Sequence, residues 1–170
     1  MKGEGSITTT LQDAIREALN GVKDPEIDSV SILDLGMVET MDAEATEHGY
    51  LVRVTLLPTF LGCPALEIIK KNTESALQVI PNVEQVDVQF RFDPPWTSDR
   101  ITEQGMQGLK EFGIAPPRFE QGKWEIDCPY CGSTYVTMEN LFGPTACRSI
   151  LYCKSCKNPF EAMKPVSTLM

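Results

Sequence analysis

Four of the six cysteines fall as Cys128-Pro129-Tyr130-Cys131 and Cys153-Lys154-Ser155-Cys156, two C-x2-C pairs separated by 21 residues. Nothing else in the 170 residues limits the fold so tightly. Each pair sets two thiolates on one tight turn, and two such turns close a tetrahedral zinc site at about 2.3 Å per sulfur. The separation is close to the roughly 15–20 residues of zinc-ribbon arrays. Gly132, directly after the first pair, suits the backbone of such a turn. Residues 135–142 and 148–152 are the expected strands of a ribbon too small to hold a core unaided, so the metal would stabilise it directly. An iron–sulfur cluster on four thiolates is a second reading. A redox C-x-x-C is a third, which the second matched pair disfavours. Cys147 is left over, as a further soft ligand, a reactive thiol or a buried residue beside the ribbon.

Composition separates this segment from the rest. The chain is 42% hydrophobic and 23% charged, with a formal charge of -9 and a pI near 4.6, a field that repels phosphate polyanions. Nucleic acid and anionic membrane are therefore disfavoured as partners. There is no apolar run of about 18 residues, and Met1 to Thr10 lack the apolar core of a secretory signal, so a cytoplasmic protein is expected. There the thiols stay reduced, which favours metal or thiol chemistry over disulfides. The acidity resides in residues 1–99, with 17 acidic and 7 basic side chains, whereas 100–170 hold 7 and 8. These contrasts, with Pro94-Pro95 and Pro116-Pro117 breaking regular structure, predict an α/β domain over 8–97, a helix and Pro-rich linker over 98–121, and a zinc-ribbon-like module over 122–166.

Within the first module, Leu11, Ala14, Ile15, Ala18 and Leu19 recur at helical spacing behind Thr8-Thr9-Thr10 as candidate cap, with Gly21 as the stop. Bends at Asp24-Pro25-Glu26-Ile27 and Asp34-Leu35-Gly36 flank a short strand over 30–33. A hairpin follows, with strands over 37–41 and 50–57 joined by the acidic segment 42–49. A helix opening at Cys63-Pro64 would bury Leu66, Ile68, Ile69, Thr73, Ala76, Leu77 and Ile80. A third strand runs from Val83 to Phe92, and a last helix, weakened by Gly105 and Gly108, spans 101–112. The expected class is α/β (α+β), a small helix-covered three-stranded mixed sheet followed by a C-terminal zinc-ribbon-like β module.

Proline favours the first helical position, which makes Cys63 the expected cap. A thiol there faces unpaired backbone N–H groups and the positive end of the helix dipole, both favouring thiolate. Such a cysteine can be a nucleophile or a soft-metal ligand, and the bends carrying Asp24, Glu26 and Asp34 can fold toward it. The competing reading is a small buried apolar residue with turn aspartates that only cap. His48 sits in the acidic hairpin segment and reads as a surface residue. Neither a Ser/His/Asp set, a P-loop nor a dinucleotide glycine pattern is present, so hydrolase, kinase and dehydrogenase readings have no residues to stand on.

Asp24-Pro25-Glu26, Ser31-Ile32-Leu33-Asp34-Leu35-Gly36 and Gly62-Cys63-Pro64 resemble the iron–sulfur assembly family that includes the SufT-type proteins, over about residues 10–95. Phe112-Gly113-Ile114-Ala115-Pro116-Pro117 and Phe142-Gly143-Pro144-Thr145-Ala146-Cys147 are similar to the PaaD-type family, the D components of phenylacetyl-CoA epoxidase complexes. The resemblance implies an iron–sulfur-assembly-like domain and an accessory role beside a di-iron oxygenase and an iron–sulfur reductase in phenylacetate catabolism. The chain would then mature or deliver metal centres without being the catalyst. It also implies a shared pocket of Asp24, Glu26, Asp34, Thr59 and Cys63 and transient iron or iron–sulfur binding, with structural zinc on Cys128, Cys131, Cys153 and Cys156. Phe60-Leu61, lying between Thr59 and Gly62, departs from the family pattern. Two other roles are weighed against delivery: a non-catalytic adaptor holding the oxygenase components together, and an enzyme using Cys63 as nucleophile.

Overall fold

In the computed structural model, which describes residues 4–168, the elements run α1 (Glu4–Gly21), β1 (Lys23–Asp24), β2 (Ile27–Ser31), β3 (Val38–Ala45), β4 (Tyr50–Leu56), α2 (Leu66–Gln78) and β5 (Val83–Phe90). They continue as α3 (Glu103–Phe112), β6 (Ile114–Ala115), β7 (Arg118–Glu120), β8 (Lys123–Glu125), β9 (Val136–Asn140), β10 (Arg148–Cys153) and β11 (Pro159–Met163).

Alternation decides the first sheet. Val52, Val54 and Leu56 point into the core from β4 while Arg53 is exposed. β4 pairs antiparallel with β3 and parallel with β5, giving a three-stranded mixed sheet in the order β3-β4-β5. A parallel pair needs a crossover, and α2 supplies it. Leu11, Ile15 and Leu19, spaced by four, seat α1 on the core beside Ile69 and Leu77 of α2.

Several local expectations are corrected. α1 begins at Glu4, so Thr8, Thr9 and Thr10 lie inside the helix, not at its cap. The 42–49 segment is strand as far as Ala45, where pairing with Tyr50 closes a tighter hairpin. Ile68 faces solvent at 51% exposure, because the stripe of α2 runs through Ile69, Thr73 and Leu77 instead. α2 starts at Leu66 with Ala65 at its cap, which places Cys63 in the preceding turn.

The glycines of α3 have a packing reason. A Cβ on Gly105 would lie 2.4 Å from the Asp34 carbonyl oxygen, and one on Gly108 would lie 2.9 Å from the Val30 side chain. Their lack of side chains lets the helix rest on β2 and the bend after it. Thr102 caps α3, its hydroxyl accepting from the Gly105 N–H at 3.0 Å.

The second sheet has the order β6-β11-β10-β9, with β6 parallel to β11 and the other pairs antiparallel. β7 and β8 form a separate hairpin on which the rings of Phe119 and Trp124 meet at 4.8 Å, tilted by 53°. Residues 98–121 are thus structured: Ile101, Leu109 and Ile114 join the main core, and Ile114–Ala115 is an edge strand of the second sheet. Met163 enters the same core from β11. Trp96, fully buried, donates from its indole nitrogen to the Leu35 carbonyl at 2.8 Å, and its own carbonyl accepts from the Ser167 N–H at 3.0 Å. These contacts clamp the two modules together. Among the described residues no helix is long and apolar enough to cross a membrane.

Candidate functional site

Two thiol-bearing regions are built from residues distant in sequence. In the first, turns after β8 and after β10 bring Cys128, Cys131, Cys153 and Cys156 together with all four Sγ atoms within 4.8 Å of one another. Sγ of Cys128 lies 3.6 Å from that of Cys156, and Cys131 stands at the same distance from Cys153. A disulfide needs about 2.05 Å. Tetrahedral sulfurs at about 2.3 Å from zinc stand about 3.8 Å apart, so the quartet fits one zinc ion. Gly132 adopts φ +71, the left-handed geometry that closes the first turn, and its N–H donates to the Cys128 carbonyl at 2.8 Å.

The second pair is prepared for ionisation. Asn158 donates its side-chain amide to Sγ of Cys156 at 3.5 Å and draws that thiol down to about 6. Backbone N–H groups of Cys156 and Ser155 lower Cys153 in the same way. Both are conditions for metal binding, which requires thiolates.

The second region lies where the turn before α2 meets the hairpin of β1 and β2. Cys63 is partly buried there, its N–H donating to the Phe60 carbonyl at 3.3 Å. Sequence reasoning expects a readily ionised thiol, and the structure reverses that. Burial pushes Cys63 up to about 11, the charges of Glu26, Cys147 and Asp24 add to the rise, and the Ala65 N–H only partly offsets it. The helix start assumed for Cys63 lies two residues further on, so the thiol lacks the full set of helix N–H groups.

Asp24 is buried, and loss of solvent raises its carboxyl above 3.8 although the N–H groups of Glu26 and Ile27 hold it. The Glu26 N–H donates to it at 2.8 Å. The charges of both acids bear on Cys63 and raise its thiol. Asp34 is engaged elsewhere: its carboxylate accepts from the hydroxyls of Ser31 at 2.7 Å and Thr102 at 2.9 Å, tying the bend before β3 to α3. Thr59 is buried in the turn leading to Cys63. His48 is exposed on the hairpin.

Sequence reasoning missed the contribution of the second sheet. Cys147 is buried just before β10, its thiol raised by burial, with the Thr145 hydroxyl 3.2 Å away. Arg148 pairs with Glu161 at 2.7 Å and donates to the Glu26 carbonyl at 3.2 Å. Lys164 follows β11, and its ammonium sits over the rings of Phe60 at 4.9 Å and Phe142 at 4.4 Å. No motif marks Arg148 or Lys164, because only tertiary folding brings them to the Asp24–Glu26 turn and the turn before α2.

Fold and geometry together define an α+β protein with a four-cysteine metal-binding ribbon fused to a small domain on which the charges of Asp24 and Glu26 bear on one further thiol. Residues 12–89 match the model of the iron-sulfur cluster assembly protein family, and residues 115–164 that of the PaaD zinc beta ribbon domain. A protein of Escherichia coli (strain K12), provisionally named as the D component of 1,2-phenylacetyl-CoA epoxidase, is 35% identical over 86% of this chain and 88% of its own length. The Fe-S protein maturation auxiliary factor YitW of Bacillus subtilis (strain 168) is 37% identical over 54% of this chain and 86% of its own. The crystal structure of a domain of unknown function, DUF59, from Bacillus anthracis superposes with a TM-score of 0.52 at 27% identity, covering 59% of this chain and 92% of that one. The chain belongs to the PaaD-type family of phenylacetyl-CoA epoxidase components, which joins an iron–sulfur assembly domain to a PaaD zinc ribbon. The match to a zinc ribbon and the four-cysteine cluster point to zinc as the metal of this module.

Proposed function

We propose that this chain is an accessory component of a phenylacetyl-CoA ring-epoxidising oxygenase and that it matures or delivers the iron or iron–sulfur centres of that complex. One observation carries the reading: Cys63, partly accessible, stands beside Asp24 and Glu26 on a domain of the iron–sulfur assembly family. Soft sulfur and hard carboxylate oxygen together suit iron better than either alone. The high proton affinity of the thiol also suits transient binding, since it stays protonated until iron displaces the proton and recovers the proton when iron leaves. Zinc in the ribbon keeps the structure while the second site loads and unloads. Co-expression of the oxygenase and reductase components with this chain or with C63S tests the reading. Iron per oxygenase is expected to fall with C63S while zinc per accessory chain holds, and full iron occupancy with C63S overturns the proposal.

A structural adaptor is the second reading, favoured by exposed Phe119, Tyr130, Tyr135 and Phe142 on the ribbon and its hairpin. Aromatic side chains of this kind anchor interfaces. An adaptor would still be required by an oxygenase whose metal centres are already loaded, whereas a delivery factor would not.

A further inference from the structure

Lys164 is 1% exposed, and its ammonium has no hydrogen-bond partner among the described residues. Two aromatic faces cushion it, but they return less than a desolvated ammonium without a counter-charge costs. The Lys164 N–H donates to the Cys147 carbonyl at 2.8 Å, while its side chain reaches Phe60, whose carbonyl accepts from the Cys63 N–H at 3.3 Å. Arg148, next to Cys147, holds the Glu26 carbonyl at 3.2 Å. The two thiols that the ribbon quartet does not use thus come from different modules to one region, where Cys147 is close enough for its charge to bear on both Cys63 and Lys164.

We propose that Cys147 is a second protein ligand for the cargo of Cys63, an anionic iron–sulfur unit whose excess negative charge the Lys164 ammonium neutralises. The inference rests on reading Cys63 as an iron carrier and names its partner thiol. Two sulfur–iron bonds form as the two thiols release their protons to solvent and displace water from iron, with no change of oxidation state. Assembled from ferrous iron and sulfide without oxidation, a unit of two irons and two sulfides on two thiolates is a dianion, whereas one ferrous ion on the same thiolates is neutral, so the ammonium selects the iron–sulfur unit over the bare ion. A site spanning both modules would also need the ribbon seated on the assembly domain before cargo is held.

The test loads the full zinc-containing chain anaerobically with ferrous iron, with and without sulfide, and counts iron and zinc after desalting. Iron is expected to be retained only with sulfide and lost in both C63S and C147S, with zinc unchanged. K164M, which keeps the packing against Phe60 and Phe142, is expected to bind about tenfold more weakly. C147A, with no polar atom to bury, guards against misfolding in C147S, and zinc content with circular dichroism reports on the fold. Wild-type iron in C147S and C147A with loss in C63S overturns this inference and leaves the carrier reading intact. Equal retention without sulfide overturns the charge argument, and no retention by the wild type removes the carrier reading as well. Phenylarsine oxide probes the geometry without iron: two thiols and the arsenical give one dithioarsenite bridge and water. Mass mapping is expected to place that bridge between Cys63 and Cys147, and single-thiol adducts alone would refute their convergence.

Discussion

In the zinc-loaded chain at pH 8, iodoacetamide is expected to alkylate Cys63 about tenfold more slowly than an unperturbed cysteine of equal access. Burial and the neighbouring Glu26, Cys147 and Asp24 hold the thiol at about 11 against an ordinary 9.0. That lowers the thiolate fraction at pH 8 about a hundredfold. The more basic thiolate is intrinsically more nucleophilic, and a Brønsted slope of about 0.4–0.5 returns roughly six- to tenfold of this loss. Timed labelling with peptide-level mass spectrometry between pH 7 and 11 isolates Cys63 while zinc protects the quartet. The rate is expected to be rising still at pH 10. Glu26→Gln removes a charge that opposes ionisation, so it is expected to speed labelling at pH 8. A rate that levels off below about pH 9 would refute the assignment of the raised pKa to burial and acidic neighbours.

Four further outcomes are expected. Gly105→Ala gains up to about 1 kcal/mol of helix propensity, but its Cβ would meet the Asp34 carbonyl at 2.4 Å, so chemical denaturation is expected to show a net loss of roughly 1–3 kcal/mol. Arg148→Met strands Glu161 and frees the Glu26 carbonyl, and is expected to cost about 3 kcal/mol in the same assay. The folded state holds the Asp24 proton more tightly than the unfolded state, so this group favours folding below about pH 3.8 and loses that contribution as pH rises through its raised folded value. Asp24→Asn is therefore expected to raise the Tm at pH 7 and leave it unchanged at pH 3. Cys153→Ser should abolish about one zinc per chain and expose β9–β11 to protease, which elemental analysis and limited proteolysis would report.

What the sequence makes legible follows from how local each cause is. The zinc quartet is readable because each C-x2-C carries two ligands on one turn, leaving only the pairing of turns to tertiary structure. β4 is readable because its alternation survives in a half-buried sheet. The start of α2 is not: Pro64 signals a helix, yet Pro64 and Ala65 are spent in a turn, and the thiol loses its helix donors. Gly105 and Gly108 look like helix weaknesses until the approach of α3 to Asp34 and Val30 is seen. β6 is two residues long, paired to a strand nearly fifty residues on, and carries no periodicity of its own. Cys63 and its acidic neighbours come from local motifs, whereas Cys147, Arg148 and Lys164 reach that region through the second sheet and leave no local signature.

Direct transfer tests the central claim. The chain is loaded with isotopically labelled iron and sulfide, desalted, and mixed with the metal-free oxygenase component, and the label is counted on each protein after separation. Movement of label to the oxygenase from the wild-type chain, and none from C63S put through the same loading, is the predicted result. Label that stays on the chain, or reaches the oxygenase equally from C63S, would contradict it.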